Sequence, residues 1–289
     1  MSFEFTDKEK LRVIYASLIG VKLDHISYYD LAVIIAWAII YIIHLPLVIY
    51  MVAKHKYPPL ASISPTMCVF YIGAMVWFVG DVLTNEMVHP VTRPLQNCVL
   101  TTIWLRSILG QALVFNVILY KATLCWFKHK YKRRVERGYR WAIIGTMVAY
   151  NLAVGVIITV LPADMTVKFV PVLDICQFTK AFKNTTMVLT WANWTASFGC
   201  VLGSNPRAHR DVQRLFVACI ALLAALVLHT TIYYKKPMYP ASLAWRITIV
   251  SADMAAALIA WWLVSGSVIY NSLRRPSQYL IEWYKENGI

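Results

Sequence analysis

Charged residues are scarce in this chain, and the sequence motifs of common catalytic sites are missing. Only 15% of its 289 residues are Asp, Glu, Lys or Arg, whereas a soluble domain carries about 25%. The chain has no HExxH zinc motif, no glycine-rich phosphate loop, no GxSxG nucleophile elbow and no Cys/His cluster with metal-ligand spacing. We therefore expect neither an enzyme nor a bound cofactor or metal.

Apolar residues instead form long uninterrupted runs. A helix of roughly 20 apolar residues crosses the bilayer core, which is about 30 Å thick. Seven runs of suitable length occur, at 29–52, 66–87, 98–127, 141–161, 185–202, 215–234 and 247–269. Continuous runs exclude a membrane barrel, because barrel strands alternate apolar and polar residues. The sequence thus predicts an all-α membrane protein with a seven-transmembrane helix bundle.

The segments outside these runs are short. We expect an extracellular N-terminal segment over 1–28, the transmembrane domain over 29–270 and a cytoplasmic tail over 271–289. The tail mixes Leu, Trp and Tyr with charged residues, a pattern typical of an amphipathic helix on a membrane surface. A disordered end is the alternative. The short apolar stretch 13–21 also fits a small amphipathic helix on the outer surface.

Positive charge is concentrated on one side of the predicted bundle. The net charge is +14, and segment 128–140 alone holds a cluster of Lys and Arg. Because positive residues favour the cytoplasm, we expect the N-terminus outside and the C-terminus inside. We expect this cluster to bind anionic membrane lipids. The alternative is that it also docks a cytoplasmic protein. The candidate partner-binding residues are Lys130, Lys132, Arg133, Arg134 and Arg137. Since the charge follows the topology, we expect no nucleic acid partner.

Two of the six cysteines lie on the predicted outer side. Cys98 begins the third span, and Cys176 lies in the loop after the fourth span. A disulfide persists in an oxidising compartment, so we expect a Cys98–Cys176 bridge. Two free thiols that happen to face the same side are the alternative.

Three ionisable residues stand out inside the spans, where charge is costly and suggests a functional site. Asp81, Arg106 and Asp253 lie about 8, 12 and 9 Å below the outer ends, at 1.5 Å per residue. Arg106 would bridge both carboxylates if their helices are neighbours. The cluster is either the floor of an outward-facing ligand pocket or a structural ion pair. Four further residues lie at suitable depths for such a pocket, although aromatic packing alone also explains the tryptophans: Trp104, Trp191, Asn193 and His229.

A second pair of opposite charges lies near the predicted inner face. Lys121 is about 22 Å deeper than Arg106, and Asp211 comes just before the sixth span. A salt bridge between them would restrain the inner ends of the third and sixth spans, and breaking it would release the sixth. The alternative is that Lys121 reaches lipid headgroups and Asp211 is solvated.

Several segments resemble the seven-helix region of class C G-protein-coupled receptors. They are more similar to the plant and fungal seven-span proteins that carry a regulator-of-G-protein-signalling domain. The similar segments are ISPTMCVFYIGAMVWFVGDVL, LGQALVFNVILYKATLCW after Cys98, HRDVQRLF with Asp211 in the acidic position, and SVIYNSL with Tyr270 in the aromatic position. The resemblance covers roughly residues 60–275.

The resemblance implies a plasma-membrane receptor that signals to a heterotrimeric G protein. It also implies the Cys98–Cys176 bridge and an ionic lock between Lys121 and Asp211. The chain departs from the family pattern because it contains no large extracellular ligand-binding module and no regulator domain. We therefore expect an unknown small ligand within the bundle; the alternative is that a soluble domain has been lost or removed. A transporter or channel for small molecules or ions is the alternative function, and a homodimer stays open.

Overall fold

The computed structural model describes residues 7–18, 20, 22–54, 56–88, 93–132, 135–170, 173, 175–207, 209–236 and 238–287. The α-helices of this part of the chain are α1 (Asp7–Leu18), α2 (Tyr28–Ala53), α3 (Pro58–Ala61), α4 (Ser64–Thr84), α5 (Leu113–Lys130), α6 (Arg137–Val160), α7 (Lys180–Gly203), α8 (Arg210–Lys235), α9 (Leu243–Arg274) and α10 (Pro276–Asn287). A π-helical segment, Val99–Ala112, runs directly into α5, and the two together form the third span. Short 3₁₀ turns cover Arg93–Gln96 and Tyr239–Ala241.

Six helical segments are long and apolar enough to cross a membrane. They are Tyr28–Ala53, Ser64–Thr84, Val99–Lys130, Gly138–Val160, Arg210–Lys235 and Leu243–Arg274. The protein is therefore a multi-pass, predominantly α-helical membrane protein. α7 corresponds to the predicted fifth span and has 24 residues, a length of about 36 Å. It is less apolar than the other six because Asn184, Asn193 and several threonines interrupt its apolar run.

The two ends of the bundle differ in their connections. The bundle end that carries Cys98 and Cys176 is named the disulfide end, and the end that carries the basic segment 128–140 is named the basic end. At the centre, α4 packs against the π-helical segment and α8 packs against α9. The outer helices α2 and α6 expose many apolar side chains. These exposed faces are suited to contact with lipid.

A small hairpin at the disulfide end was not predicted from the sequence. Strands β1 (Val167–Val170) and β2 (Ile175–Phe178) pair antiparallel, with Phe169 opposite Cys176. The predicted disulfide is confirmed, because Cys176 of β2 is bonded to Cys98. The bridge fixes the hairpin to the start of the third span.

Helices occur in both segments for which the sequence suggested them: α1 covers Asp7–Leu18, earlier than the suggested stretch 13–21, and α10 lies in the tail. The chain enters α10 at Pro276, whose carbonyl accepts a 2.7 Å hydrogen bond from the Tyr57 hydroxyl. The tail therefore begins against the loop that follows α2, rather than as a disordered end.

Two glycines bring α4 and the third span into close contact. A Cβ atom added at Gly80 would lie 2.5 Å from the backbone of Arg106, and one added at Gly110 would lie 2.6 Å from the Trp77 Cα. No real side chain tolerates such distances without movement of the backbone. The lack of a side chain at both positions therefore sets the spacing of these helices, and it places Arg106 beside Asp81.

Candidate functional site

Arg106 and Asp81 form a buried ion pair between the third span and α4. Arg106 Nε lies 2.6 Å from Asp81 Oδ1, and the two side chains are 7% and 0% exposed. Asn85, one turn after Asp81 on α4, donates a longer hydrogen bond of 3.4 Å to the same carboxylate oxygen. Such a pair is stable in lipid only because each charge has its partner within reach.

A histidine extends this pair to α8 and α9. Arg106 Nη2 lies 3.4 Å from His229 Nε2, and His229 Nδ1 lies 3.1 Å from Asp253 Oδ2. All four side chains are buried. The sequence predicted that Arg106 would contact both carboxylates directly. Instead, Arg106 contacts Asp81 directly and is linked to Asp253 through His229, because the His229 ring of α8 lies between the third span and α9.

We refer to Asp81, Arg106, His229 and Asp253 as the buried charge network. Tyr239, in the turn before α9, lies close enough to interact electrostatically with three of its members. Burial raises the pKa of the Tyr239 hydroxyl, and the opposing effect of Arg106 does not reverse this shift. Tyr239 therefore stays protonated and uncharged beside the network.

A cavity of about 80 Å³ adjoins one side of the buried charge network. Its walls come from the third span, α6, α7 and α8. Drug-sized ligands occupy pockets of roughly 300–1,000 Å³, so in this conformation the cavity admits only a few waters or a small ligand. Of the residues predicted to bind a ligand, three line it: Arg106, Asn193 and His229.

The other predicted ligand residues do not line this cavity. Trp104 Nε1 donates to Thr159 Oγ1 of α6 at 3.0 Å, and Trp191 Nε1 donates to Thr230 Oγ1 of α8 at 3.1 Å. Each tryptophan thus forms a hydrogen bond to a neighbouring helix. Asp81 and Asp253 lie within the charge network and are not among the cavity residues.

Two carboxamides that the sequence did not single out also line the cavity. Gln111 comes from the third span and Asn151 from α6, where Asn151 is 8% exposed. Together with Asn193 they bring three carboxamides from three helices to one space. An amide without a hydrogen-bond partner is costly in the membrane. The sequence signal that could have identified these residues is therefore a carboxamide within a predicted span. Among the described residues no carboxylate lines this cavity.

The cavity reaches an exposed part of α6. α6 packs mainly against the π-helical segment and barely touches α7. Tyr150 of α6 lines the cavity and is 45% exposed. Tyr150 therefore belongs both to the cavity wall and to the exposed face of α6.

The disulfide end is closed by two further buried ion pairs that the sequence did not predict. Arg246 of α9 binds both oxygens of Asp30 at 2.6 Å, and its guanidinium also donates to the carbonyls of Asp24, His25 and Pro240. Both side chains are 0% exposed. An acid at the start of the first span and an arginine at the start of the last were the available signal.

Arg12 makes the second of these pairs. It contacts Glu86, just beyond α4, and donates to the carbonyl of Leu173 in the hairpin turn. The Arg12 side chain is 2% exposed. These contacts fix α1 across the disulfide end of the bundle.

The basic end differs from its prediction. Lys121 Nζ donates to the Ser62 carbonyl at 3.3 Å, while Asp211 Oδ2 lies 3.1 Å from His129 Nε2 and 3.8 Å from Lys128 Nζ. The expected Lys121–Asp211 ion pair is therefore not formed in this structure. α5 continues to Lys130, two turns beyond Lys121, and these last residues of α5 are the ones that meet Asp211 at the start of α8.

The candidate partner-binding residues are only partly described. Lys130 and Lys132 are exposed, and Lys130 Nζ lies 5.3 Å from the centre of the Trp126 ring. Arg133 and Arg134 lie outside the described residues, as does the side chain of Arg137. The described lysines extend from the end of α5 that carries the Asp211 contacts.

Comparison with known proteins adds no family. No protein-family model matches the chain, and no curated protein matches it.

Proposed function

We propose that this protein is a seven-helix receptor of the plasma membrane that senses a small ligand and signals to heterotrimeric G proteins. In this proposal α7 is the seventh crossing helix, the disulfide end faces outside and the basic end faces the cytoplasm. The ligand arrives from outside or from the membrane itself.

One observation carries this proposal: the third span and α8 contact each other through polar side chains near both ends. Near the disulfide end, Arg106 meets His229. At the basic end, His129 meets Asp211. The two contacts are separated by 23 residues of the third span, roughly 35 Å of helix. A movement of α8 relative to the third span would therefore alter polar contacts near both ends of the bundle.

The cavity supplies a place for the ligand to act on this helix pair. Arg106 and His229 both line it, and Asn193 of α7 lines it as well. A ligand that binds more tightly to one arrangement of these side chains shifts the protein toward that arrangement. In this proposal a membrane-embedded ligand enters between α6 and α7, which contact each other little.

The basic end supplies an element that can exist in two states. The Asp211 side chain is 47% exposed, so its contacts with His129 and Lys128 are weak and easily broken. Breaking them frees the start of α8 to move away from α5. Movement of α8 would then change the surface that Lys130 and Lys132 present to a G protein, while anionic lipids hold the remaining basic residues.

Recovery of a Gα subunit tests the proposal. The full chain is purified from membranes of cells that contain Gα, with and without guanine nucleotide, as wild type and as Asp211→Lys. The control is Glu282→Lys, which reverses an exposed acid at the same end whose described partner is Arg275. We expect nucleotide-sensitive recovery that changes in Asp211→Lys and not in Glu282→Lys.

Absence of Gα from the wild type, under conditions that capture an established receptor, would overturn the proposal. Equal changes in the two variants would show that charge at the basic end matters, but not the contact between α5 and α8.

A transporter is the second candidate, and the observation that favours it is the buried charge network itself. Ionisable side chains at membrane depth are typical of ion and proton pathways. Uptake of small solutes by liposomes that contain the pure protein would support it, provided that Arg106→Gln abolishes the uptake.

A further inference from the structure

The buried charge network carries unequal numbers of positive and negative groups. Asp81 and Asp253 supply two carboxylates, and Arg106 supplies one permanent positive charge. With both carboxylates ionised, the net charge of the network is therefore zero if His229 is protonated and −1 if it is neutral. All four side chains are nine-tenths or more buried.

The contacts of His229 fit an uncharged ring. Arg106 only donates hydrogen bonds, so His229 Nε2, at 3.4 Å from Arg106 Nη2, accepts and carries no proton. The Asp253 carboxylate only accepts, so His229 Nδ1 carries the proton at 3.1 Å from Asp253 Oδ2. A doubly protonated ring would direct an N–H at the guanidinium. The network thus has one excess negative charge.

Among the residues that the structure describes, the groups that interact with the network supply no further charge to balance this excess. The titratable groups that interact with its carboxylates from the surrounding elements are tyrosines, which are neutral when protonated: Tyr41 from α2 and Tyr239 from the turn before α9. Tyr233 of α8 interacts with Arg106 in the same way. An uncompensated buried charge costs several kcal/mol, so a further positive charge is expected.

A buried carboxylate oxygen of the network is available to bind that positive charge. Asp81 Oδ2 is buried and has no hydrogen-bond partner, and the same is true of Asn85 Oδ1 one turn later on α4. Asp81 interacts electrostatically with Asp253 as well as with Arg106. A proton or a small cation at Asp81 Oδ2 would therefore compensate both carboxylates.

We propose that the buried charge network binds one monovalent cation, a proton or Na⁺, at Asp81 Oδ2 between α4 and α9. The chemistry in either case is a single positive charge held by carboxylate oxygen. Asn85 Oδ1 is the neutral oxygen that Na⁺ would use and a proton would not need. The proposed cation site follows from the net charge of the buried charge network. It does not depend on coupling to a G protein.

Infrared spectroscopy and thermal unfolding of the full chain in lipid nanodiscs test the site. A bound proton gives the wild type a protonated-carboxyl carbonyl band that Asp81→Asn or Asp253→Asn removes. Bound Na⁺ gives no such band but raises the unfolding temperature in NaCl relative to choline chloride at equal ionic strength, and Asn85→Ala weakens this shift. Either result supports the proposal and identifies the cation.

The stability of variants that lack one or both carboxylates supplies a second, independent test. Asp81→Asn and Asp253→Asn each remove the excess charge, so each single variant should fold and lose its dependence on pH or Na⁺. The double variant leaves Arg106 without a carboxylate and should unfold at a lower temperature than either single variant. A wild type with neither the carboxyl band nor the Na⁺ shift would overturn the proposal, as would single variants that keep either signal.

Discussion

The two ends of the bundle are held by ion pairs of opposite character. At the disulfide end, Arg246 and Asp30 are both 0% exposed and pair in two places. At the basic end, Lys128 and Asp211 are 45% and 47% exposed and lie 3.8 Å apart. The same kinds of charged groups are thus buried at one end and solvated at the other.

This difference in the burial of the ion pairs indicates which end of the bundle can change conformation. Removing one partner of a buried pair leaves an uncompensated charge and costs about 3–5 kcal/mol, whereas an exposed pair contributes about 0–1 kcal/mol. The disulfide adds a covalent restraint to the first end only. We therefore expect conformational change to concentrate at the basic end, where a cytoplasmic partner would dock.

Loss of Arg246 should give the largest effect. Arg246→Ala leaves Asp30 buried without its positive partner, and we expect the free energy of unfolding to fall by about 3–5 kcal/mol. Thermal unfolding in detergent micelles measures this change. Arg275→Ala is the matched control, since Arg275 and Glu282 are 43% and 41% exposed. Equal losses in the two variants would contradict the contrast between the ends.

Removal of the disulfide should come next. Replacing Cys98 and Cys176 together by serine should lower the stability by about 2–5 kcal/mol, because the unfolded chain regains its freedom. Reducing agent should lower the unfolding temperature of the wild type but not of this double variant. Cys200→Ser, at a free and half-buried thiol, should change little. A wild type that is insensitive to reduction would argue against the bridge.

A methyl group at Gly80 should have a moderate effect. In Gly80→Ala the new Cβ meets the Arg106 backbone, so α4 and the third span must separate, at a cost of about 1–3 kcal/mol. Gly145→Ala is the control, because nothing lies within 4 Å of a Cβ at Gly145. We expect that control to keep or slightly raise the unfolding temperature. Similar losses in both variants would show that the close approach of these helices is unimportant.

Loss of Asp211 should have the smallest effect on stability, but it should change the distance between the basic ends of α5 and α8. Asp211→Ala removes exposed contacts with His129 and Lys128, so stability should fall by about 1 kcal/mol or less. The distance between spin labels on the basic ends of α5 and α8 should broaden. The same labels at the disulfide ends of the third span and α8 should give an unchanged distance. A narrow distribution at the basic end would show that other contacts hold α8 there.

Much of the fold could be predicted from local composition. Six of the predicted spans coincide with helices that are long and apolar enough to cross a membrane, and the Cys98–Cys176 bridge is present. The hairpin Val167–Phe178 was missed because two strands of four residues give too short a pattern. The apolar run of α7 was recognised, although its asparagines make it the least apolar of the seven.

The candidate site was predictable in its members but not in its contacts. Asp81, Arg106, His229 and Asp253 were identified because polar residues stand out in apolar runs. That His229 separates Arg106 from Asp253 depends on how α8 is rotated, which no local pattern reveals. Asp211 was assigned to Lys121, whereas the structure places it beside Lys128 and His129.

The sequence by itself determined that this chain enters a membrane as long helices, because hydropathy is a sum over neighbouring residues. It also determined which charges are too deep to be solvated. The tertiary structure alone decided how those charges pair, since pairing depends on the spacing and rotation of whole helices. Gly80 and Gly110 set that spacing between α4 and the third span, and so bring Arg106 within reach of Asp81.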